Sequence, residues 1–257
     1  MRIRPVLPYD AAVPAAVTVQ DVEVRYDRLV ALRGATLQLT PASTLAVIGP
    51  NGSGKSTLLR AIAGLERPVR GRIDTGGHDI ALVLQSTDVD RSVPITVRDT
   101  VRMARYARRG LLGRMRAEDR DAIEAAMRRL ALQDLADRQL HELSGGQRQR
   151  ALVAQGLAQG ADVLLLDEPV TGLDVVSREL ILQVIADERA AGHAVAMTTP
   201  DLDDARRCDQ VLLLDTEPVA LGTPDEVLQE DHLRAAFGGQ FVRVGDKIFV
   251  DDPHHAH

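Results

Sequence analysis

Short apolar runs alternate with segments of helical character along most of the chain. The runs are residues 44–48, 80–84, 163–166, 194–198 and 211–214. Runs of this length and composition are typical of strands that are buried on both faces of a parallel sheet. The helical segments are residues 58–63, 117–132 and 174–191. The alternation of strands and helices predicts an α/β fold with a mainly parallel sheet.

The first part of the chain has a different pattern. Residues 17–24 alternate between apolar and polar side chains, which predicts a half-exposed strand. Residues 35–39 form a second predicted strand, and a turn-rich passage at 66–77 predicts further short strands. Residues 1–16 are rich in Pro and Ala and predict a flexible lead.

Composition narrows the class of protein. Of the 257 residues, 45% are hydrophobic but only 2% are aromatic, and there is no Trp, so the core must be aliphatic. The net charge of −6 gives no reason to expect nucleic acid as a partner. The single cysteine, Cys208, excludes an internal disulfide and fits a reducing compartment. No apolar run approaches the ~20 residues needed to cross a bilayer, and the N-terminus lacks the apolar centre of a signal peptide. We therefore expect a soluble, cytoplasmic protein.

The most specific motif lies between the predicted strand at 44–48 and the helix that follows it. It fits the phosphate-binding pattern G-x-x-x-x-G-K-[ST] at every required position. Its residues are Gly49, Pro50, Asn51, Gly52, Ser53, Gly54, Lys55, Ser56 and Thr57. The glycines allow main-chain amides to turn toward a phosphate, and the helix N-terminus stabilises the anion. Lys55 supplies a positive charge and the Ser56 hydroxyl supplies a ligand for Mg²⁺. The segment predicts nucleotide binding rather than an ordinary Gly/Ser-rich turn.

Two carboxylates follow the apolar run at 163–166. In a chain with a phosphate-binding loop, paired acids at the carboxyl end of a buried strand indicate metal binding and base catalysis. Asp167 is predicted to hold Mg²⁺ through water, and Glu168 to polarise the attacking water. The alternative is that these acids and Pro169 form only a turn.

Ser144 and Gln147 have the S-x-x-Q spacing of a capping box at the start of a predicted helix. Capping alone does not account for Gly145 and Gly146, because glycine in the first helical turn is costly to helix formation. Glycines at this position allow a ligand to approach the exposed amides closely. An anion is the natural candidate.

Two further features admit more than one interpretation. Tyr26 is one of six aromatic residues and follows a predicted strand, so its ring either packs at the strand end or stacks on adenine. Residues 100–117 contain no acid and six arginines, which indicates either a solvated helix face or a surface near lipid headgroups or an acidic partner. The six are Arg102, Arg105, Arg108, Arg109, Arg114 and Arg116.

Four elements, in this order and spacing, resemble those of the ATP-binding-cassette (ABC) ATPase subunits of transporters. They are the loop at 49–57, Gln85 at a strand end, the L-S-G-G-Q element at 143–147, and the strand with its acids at 164–169. The resemblance covers about residues 17–230. It implies a P-loop NTPase core with a mainly parallel sheet, an N-terminal antiparallel β subdomain and an α-helical subdomain inserted at about 86–141. The ABC ATPase domain would span 17–237, with a C-terminal tail at 238–257.

The same resemblance implies that the protein binds and hydrolyses ATP, with Mg²⁺ as cofactor. By matching position, Tyr26 is the aromatic residue that stacks on adenine. Gln85 contacts Mg²⁺ and senses the attacking water, so it joins Lys55 and Glu168 in the catalytic set. Asp174 belongs to a loop that contacts a second ATPase subunit. Each ATP would lie between the loop at 49–57 of one copy and the Ser144–Gln147 segment of the other.

Transport is the implied purpose of this hydrolysis. The inserted helices would dock onto a transmembrane permease, so that the chain lies peripherally on the inner face of the cell membrane. The segment at 89–97 and the short tail after Phe237 resemble the branch that imports manganese, zinc or iron, with an extracytoplasmic metal-binding protein as an indirect partner. However, Arg91 and Val93 stand where that branch usually has aromatic residues. The transported metal would pass through the permease, so no transition-metal site is implied in this chain.

One departure from the family pattern concerns hydrolysis itself. The family usually has a T-H-D-L element, whereas this chain has Thr199, Pro200, Asp201 and Leu202. Proline has neither a side-chain donor nor a main-chain N–H, so it cannot hydrogen-bond the γ-phosphate or the attacking water. Loss of such a contact slows hydrolysis by ~10²–10³-fold unless Thr198, Thr199 or His193 replaces it. A regulatory subunit that binds ATP but hydrolyses it poorly is therefore an alternative.

A third class comprises ATPases of DNA repair and chromosomes, which share these motifs. They carry long coiled coils or zinc modules between the phosphate loop and the L-S-G-G-Q element, whereas only residues 58–142 intervene here.

The end of the chain holds two predicted short strands, at 241–244 and 248–250. The terminal histidines either bind a metal or belong to an unstructured tail. They are His254, His255 and His257.

Overall fold

A six-stranded sheet lies at the centre of the fold. The structure is a computed structural model that describes residues 14–85, 94–109, 114–238, 241–244 and 247–250. In chain order, the strands of this sheet are β3 (Thr44–Ile48), β5 (Ile80–Val83), β6 (Val163–Leu166), β7 (Ala194–Thr198), β8 (Gln210–Asp215) and β9 (Glu217–Gly222). They lie side by side in the order β5-β6-β7-β3-β8-β9.

Five of these strands are parallel, and only β9 runs antiparallel to its neighbour β8. All residues of β3, β6 and β7 are buried, as their apolar runs predicted. Ladders on both sides of β3 fix its register, because Val47 lies opposite Thr198 of β7 and Leu212 of β8. The carboxyl ends of five strands therefore meet at one edge of the sheet.

A three-stranded antiparallel sheet precedes and flanks this core. Its strands are β1 (Val17–Tyr26), β2 (Leu29–Leu39) and β4 (Arg70–Asp74), in the order β2-β1-β4. The inward-facing side chains of β1 and β2 form one apolar cluster with helix α1 (Lys55–Ile62) and one face of the central sheet. The predicted α/β class, the mainly parallel sheet and the antiparallel β subdomain are confirmed.

Two α-helices and two short 3-10 helices occur among the residues described between β5 and the helix that begins at the L-S-G-G-Q element. The α-helices come first in the chain. They are α2 (Val97–Arg109) and α3 (Ala117–Arg129), and the α-helix that follows them is α4 (Gly145–Gln159). Buried apolar side chains join α2 and α3 to α4 in the main core cluster. The remaining helices are α5 (Val175–Ala190), α6 (Leu202–Ala205), α7 (Pro224–Val227) and α8 (Glu230–Phe237), and an antiparallel pair is formed by β10 (Phe241–Val244) and β11 (Lys247–Val250). None of the helices described has the length and hydrophobicity that a membrane span requires.

One arginine of the basic run is neither solvated nor available to lipid. The Arg105 side chain is largely buried, with its Nε 3.6 Å from Oδ1 of the buried Asp119 and its guanidinium donating to the Gln159 carbonyl. Asp119 also accepts from the main-chain N–H of Arg116 at 2.9 Å, at the start of α3. This arginine therefore ties α2 to α3 and α4, which neither interpretation of the basic run predicted. The side chains of Arg108 and Arg109 lie outside the description.

Several boundaries differ from those predicted. The strand predicted at 35–39 begins at Leu29, because the ladder with β1 continues past Arg33 and Gly34, where the apolar pattern is interrupted. The strand predicted at 80–84 ends at Val83. The passage at 66–77 contains one strand, β4, rather than several, and β9 and α8 had no prediction. The two short strands near the C-terminus are confirmed, whereas residues 1–13, the 89–93 segment and the terminal histidines lie outside the described residues.

Candidate functional site

The phosphate-binding motif forms the connection between β3 and α1. Gly54 is the N-cap of α1 and adopts a left-handed conformation, with φ 97°. A β-carbon at Gly54 would overlap the main-chain oxygen of Ala31, so any larger residue would force the two segments apart. Glycine therefore allows both the turn and its close packing against β2, and it leaves the first amides of α1 directed at the edge of the sheet.

Polar groups of the loop are arranged for an anion. The Lys55 ammonium is buried and donates to the main-chain oxygens of Gly49 at 2.8 Å and Pro50 at 2.9 Å. Within the described part of the chain, the buried Ser53 hydroxyl has no hydrogen-bond partner. A buried hydroxyl without a partner is costly, and an oxygen of a bound phosphate would satisfy it. The residues present therefore fit a phosphate ligand.

Asp167 lies immediately after β6, next to the start of α1. Its Oδ1 accepts hydrogen bonds from the Ser56 hydroxyl at 2.9 Å and from the Thr198 hydroxyl at 2.7 Å. The predicted metal-binding residues Ser56 and Asp167 are thus brought together from segments 111 residues apart. A carboxylate and a hydroxyl are the kind of oxygen ligand that Mg²⁺ takes, so this pair fits that ion.

Glu168 has an unusual backbone conformation. Its φ is 46°, in the left-handed region that costs a non-glycine residue about 1–2 kcal/mol. Its main-chain N–H donates to the Thr198 hydroxyl at 2.7 Å, and its Oε2 accepts from the Gln85 side-chain amide at 3.1 Å. The turn after β6 therefore projects the Glu168 carboxylate toward Gln85, two residues after the end of β5. The structure brings together the predicted residues Gln85 and Glu168.

The residues proposed to replace the family histidine have other contacts. The Thr198 hydroxyl is bonded to Asp167 and Glu168, while the Thr199 hydroxyl accepts from the Asp201 main-chain N–H at 3.1 Å. His193 precedes β7, so that strand, about 16 Å long, separates it from Pro200. Its Nδ1 lies 2.7 Å from a carboxylate oxygen of Glu188. Of the three alternatives, His193 therefore lies too far away to replace the histidine within one chain.

The capping box predicted at residues 144–147 is confirmed. The Ser144 hydroxyl accepts from the Gln147 main-chain N–H at 3.3 Å, and the Gln147 side-chain oxygen accepts from the Ser144 N–H at 3.1 Å. The second glycine of this segment packs closely against the start of α5. A β-carbon at Gly146 would lie 2.6 Å from the Ser177 hydroxyl and closer still to a carboxylate oxygen of Asp174. Gly146 is therefore required for this packing within one chain.

Asp174 is the N-cap of α5. Its side chain accepts from the Ser177 main-chain N–H at 2.9 Å, and this hydrogen bond holds the pKa of Asp174 below its usual range. The family resemblance assigned separate roles to Asp174 and to the 144–147 segment. Their contact within a single chain was not predicted, because nothing in the local sequence of either segment specifies it.

Tyr26 lies at the end of β1, beside the connection between α1 and β4. Its ring is 37% exposed, and its hydroxyl donates to a carboxylate oxygen of Glu66 at 2.9 Å. The exposed ring is compatible with stacking on a base. That role stays a prediction.

One cluster that sequence reasoning missed follows β7. Arg178 of α5 forms ion pairs with Asp201 at 3.4 Å and with the buried Asp204. Burial and, secondarily, the charge of Asp201 raise the pKa of Asp204 to about 6. Asp201 also caps α6, since its side chain accepts from the main-chain N–H of Asp203 at 2.7 Å. An acid before a short helix was the available signal for the cap, whereas nothing local indicated Arg178.

Comparison with known proteins agrees with this arrangement. The model of the family described as ABC transporter matches residues 32–171, which is more than half of the chain. The chain belongs to the ABC transporter ATPase family. Within that family, the chain is an ATP-binding subunit, as the resemblance in sequence implied.

Relatives of this ABC ATPase align over most of their length. The manganese transport system ATP-binding protein MntA of Synechocystis is 37% identical, over 87% of this chain and 90% of the relative. The manganese transport system ATP-binding protein MntB of Bacillus subtilis is 34% identical, over 91% and 97%. The chelated iron transport system membrane protein YfeB of Yersinia pestis is 35% identical, over 91% and 83%.

Solved structures show the same fold. A candidate metal-chelate type ABC transporter in an inward-facing conformation superposes with a TM-score of 0.79 and 28% identity, covering 93% of this chain and 96% of that chain. The dimeric structure of the bacterial ABC transporter cassette MJ0796 gives a TM-score of 0.71 and 25% identity, covering 81% and 98%.

The packing of Gly146 leads to a stability prediction. Gly146→Ala should displace Asp174 from its capping position and lower the free energy of unfolding by about 1 kcal/mol or more. For a chain of this size, that loss lowers the Tm by about 2–4 °C. Gly145→Ala is the matched control, because a β-carbon there meets nothing within 4 Å and alanine favours the helix. Thermal unfolding of the two variants would contradict the packing account if their Tm values changed equally.

Proposed function

We propose that this ABC ATPase binds ATP with Mg²⁺ at the carboxyl edge of its central sheet and hydrolyses it to drive import of a metal ion such as manganese, zinc or iron. The observation that carries the proposal is the convergence of three segments at that edge: the start of α1, the residues after β5 and the two acids after β6. Ser56 contacts Asp167, and Gln85 contacts Glu168, each at hydrogen-bonding distance. A phosphate-binding loop, a metal-binding pair and a carboxylate base are the groups that ATP hydrolysis requires.

The phosphates would be bound by the loop at 49–57. The amides at the start of α1 and the Lys55 ammonium supply positive charge, and the Ser53 hydroxyl supplies a donor. Ser56, Asp167 and Gln85 would hold Mg²⁺, with Asp167 acting through water. When bound, that ion neutralises negative charge on the phosphate oxygens. Tyr26 would stack on the adenine ring.

Glu168 would act as the general base. One of its carboxylate oxygens accepts from Gln85 at 3.1 Å, which orients the group while the other oxygen takes a proton from the attacking water. The positive φ at Glu168 directs this side chain away from the buried strand and toward the end of β5. Positioning and a local base together account for a large part of the catalysis in reactions of this class.

The transported substrate is proposed from the relatives. Those that align over most of this chain are named for manganese or chelated iron transport, which favours a transition-metal substrate. A permease, docked on α2 and α3, would carry the metal, and an extracytoplasmic metal-binding protein would deliver it. Two copies of this chain would pair head to tail, with the Ser144–Gln147 segment and Asp174 of one copy facing the phosphate loop of the other. The chain would lie on the inner face of the membrane.

The role of Glu168 can be tested in the assembled transporter. A tag on this chain allows the chain and its permease to be purified together. Glu168→Gln should lower steady-state ATP hydrolysis by about 10²–10⁴-fold, because it removes the base without changing the size of the side chain. Binding of ATP with Mg²⁺ should be retained. Glu230→Gln is the control, since it makes the same chemical change in an exposed ion pair with Arg234 on α8. Unchanged hydrolysis in Glu168→Gln would contradict the proposed mechanism.

A second candidate function is supported by Pro200. This exposed residue has no group that donates a hydrogen bond, His193 is at the other end of β7, and the Thr198 hydroxyl donates to Asp167. If the missing contact is not replaced, the chain is a subunit that binds ATP as a switch and hydrolyses it slowly. Both candidates use the same binding site, and they differ in the turnover rate.

Restoring the histidine separates these candidates. Pro200 is exposed, so Pro200→His should be accommodated without repacking. The importer hypothesis predicts wild-type turnover well above the Glu168→Gln background, with a change of less than about threefold on adding histidine. Turnover at that background, rising by ~10²-fold or more in Pro200→His, would support the ATP-binding switch instead.

A further inference from the structure

We propose that Thr198 is a positioning residue, which sets the Glu168 carboxylate for proton abstraction through a single buried hydroxyl. The inference rests on the proposed role of Glu168 as the base. Thr198 is the last residue of β7 and has no exposed surface. It lies on the strand between β6, which leads to Glu168, and β3, which leads to the phosphate loop.

The Thr198 hydroxyl both donates and accepts a hydrogen bond. It donates to Asp167 Oδ1 at 2.7 Å and accepts from the Glu168 main-chain N–H at 2.7 Å. A hydroxyl has one proton to donate, so this proton is directed to the carboxylate and a lone pair is directed to the amide. One side chain thereby fixes both acids that follow β6.

The bond to the Glu168 amide matters because of the conformation at that residue. A φ of 46° is unfavourable for a side chain other than glycine, so the turn needs a contact that holds it. Glu168 is the second residue beyond Leu166, the last ladder partner of β6, so strand pairing does not constrain its backbone. In contrast, pairing with Val47 in β3 fixes Thr198 itself. The hydroxyl thus holds the turn at Glu168 against β7, whose backbone is fixed by strand pairing.

Thr44 provides a matched control at the opposite end of the same sheet. Its hydroxyl donates to Asp209 Oδ2 at 2.9 Å and accepts from the Asp209 main-chain N–H at 2.9 Å. Thr44 is also buried, but it begins β3 rather than ending a strand at the catalytic edge. Thr44→Val therefore removes a buried hydroxyl that has the same kinds of partner, a carboxylate and a main-chain N–H. It does not touch Asp167 or Glu168.

The test compares Thr198→Val, which keeps the shape but loses the hydroxyl, with Thr198→Ser, which keeps the hydroxyl. Thr198→Val should lower kcat about 10–100-fold with the KM for ATP within about twofold, because the base is misplaced while nucleotide binding is retained. Thr198→Ser and Thr44→Val should each keep kcat within about twofold. In the Glu168→Gln background, Thr198→Val should lower the residual rate by less than about twofold, since it acts through Glu168.

Amide hydrogen exchange gives a readout that does not depend on turnover. The Glu168 N–H should exchange faster in Thr198→Val by about tenfold or more and stay protected in Thr198→Ser. If Thr198→Val does not fold, Thr198→Ala takes its place in the same comparisons. Equal losses in Thr198→Val and Thr198→Ser, or equal losses in Thr198→Val and Thr44→Val, would overturn the proposal and leave a role in stability only.

The outcomes also separate this inference from the proposed function. If Glu168→Gln hydrolyses ATP at the wild-type rate, the proposed function fails together with the positioning role. If Glu168→Gln is inactive but Thr198→Val turns over normally with a protected Glu168 amide, only the positioning role fails.

Discussion

One carboxylate oxygen, Oδ1 of Asp167, accepts hydrogen bonds from two other segments at the carboxyl edge of the central sheet. It accepts from Ser56 at the start of α1 and from Thr198 at the end of β7, while Asp167 itself lies immediately after β6. Three neighbouring segments of the sheet are thereby held in one arrangement. Because Asp167 is buried, these hydrogen bonds also offset the cost of removing its charge from water. This contact thus links the phosphate-binding loop, the turn that carries Glu168 and the end of β7.

The parallel sheet makes that contact possible. Parallel strands point their carboxyl ends at one edge, so residues that are far apart in the sequence meet there without long loops. Asp167 and Thr199 each follow a strand of the sheet directly, and Gln85 and Glu168 lie two residues beyond the ends of β5 and β6. The strands β3, β5, β6 and β7 contain no charged side chain, so the charged groups at this edge lie beyond the strand ends, where they are accessible to a ligand. The fold and the site are therefore consequences of the same strand order.

Most of this arrangement was predictable from the sequence, and the reasons for the exceptions are physical. The buried strands had continuous apolar runs, and the phosphate loop and the capping box at Ser144 had local patterns that specify their geometry. The contact of Gly146 with Asp174, the pairing of Arg105 with Asp119 and the cluster around Arg178 depend on tertiary packing, which no local pattern encodes. The start of β2 was missed because its ladder with β1, rather than its own alternation, extends the strand to Leu29. Thr198 was considered only as a substitute for a histidine, since its bonds to both acids require the register of β7.

We propose that Asp167 is a main contributor to Mg²⁺-dependent ATP binding. The most direct test is a titration of the purified chain with ATP, in Mg²⁺ and in excess chelator, for the wild type and for Asp167→Asn. We expect Mg²⁺ to tighten ATP binding to the wild type by about tenfold or more, whereas Asp167→Asn should lose most of this gain. If Asp167→Asn gains as much affinity from Mg²⁺ as the wild type, the metal is held elsewhere and the account of this edge is wrong.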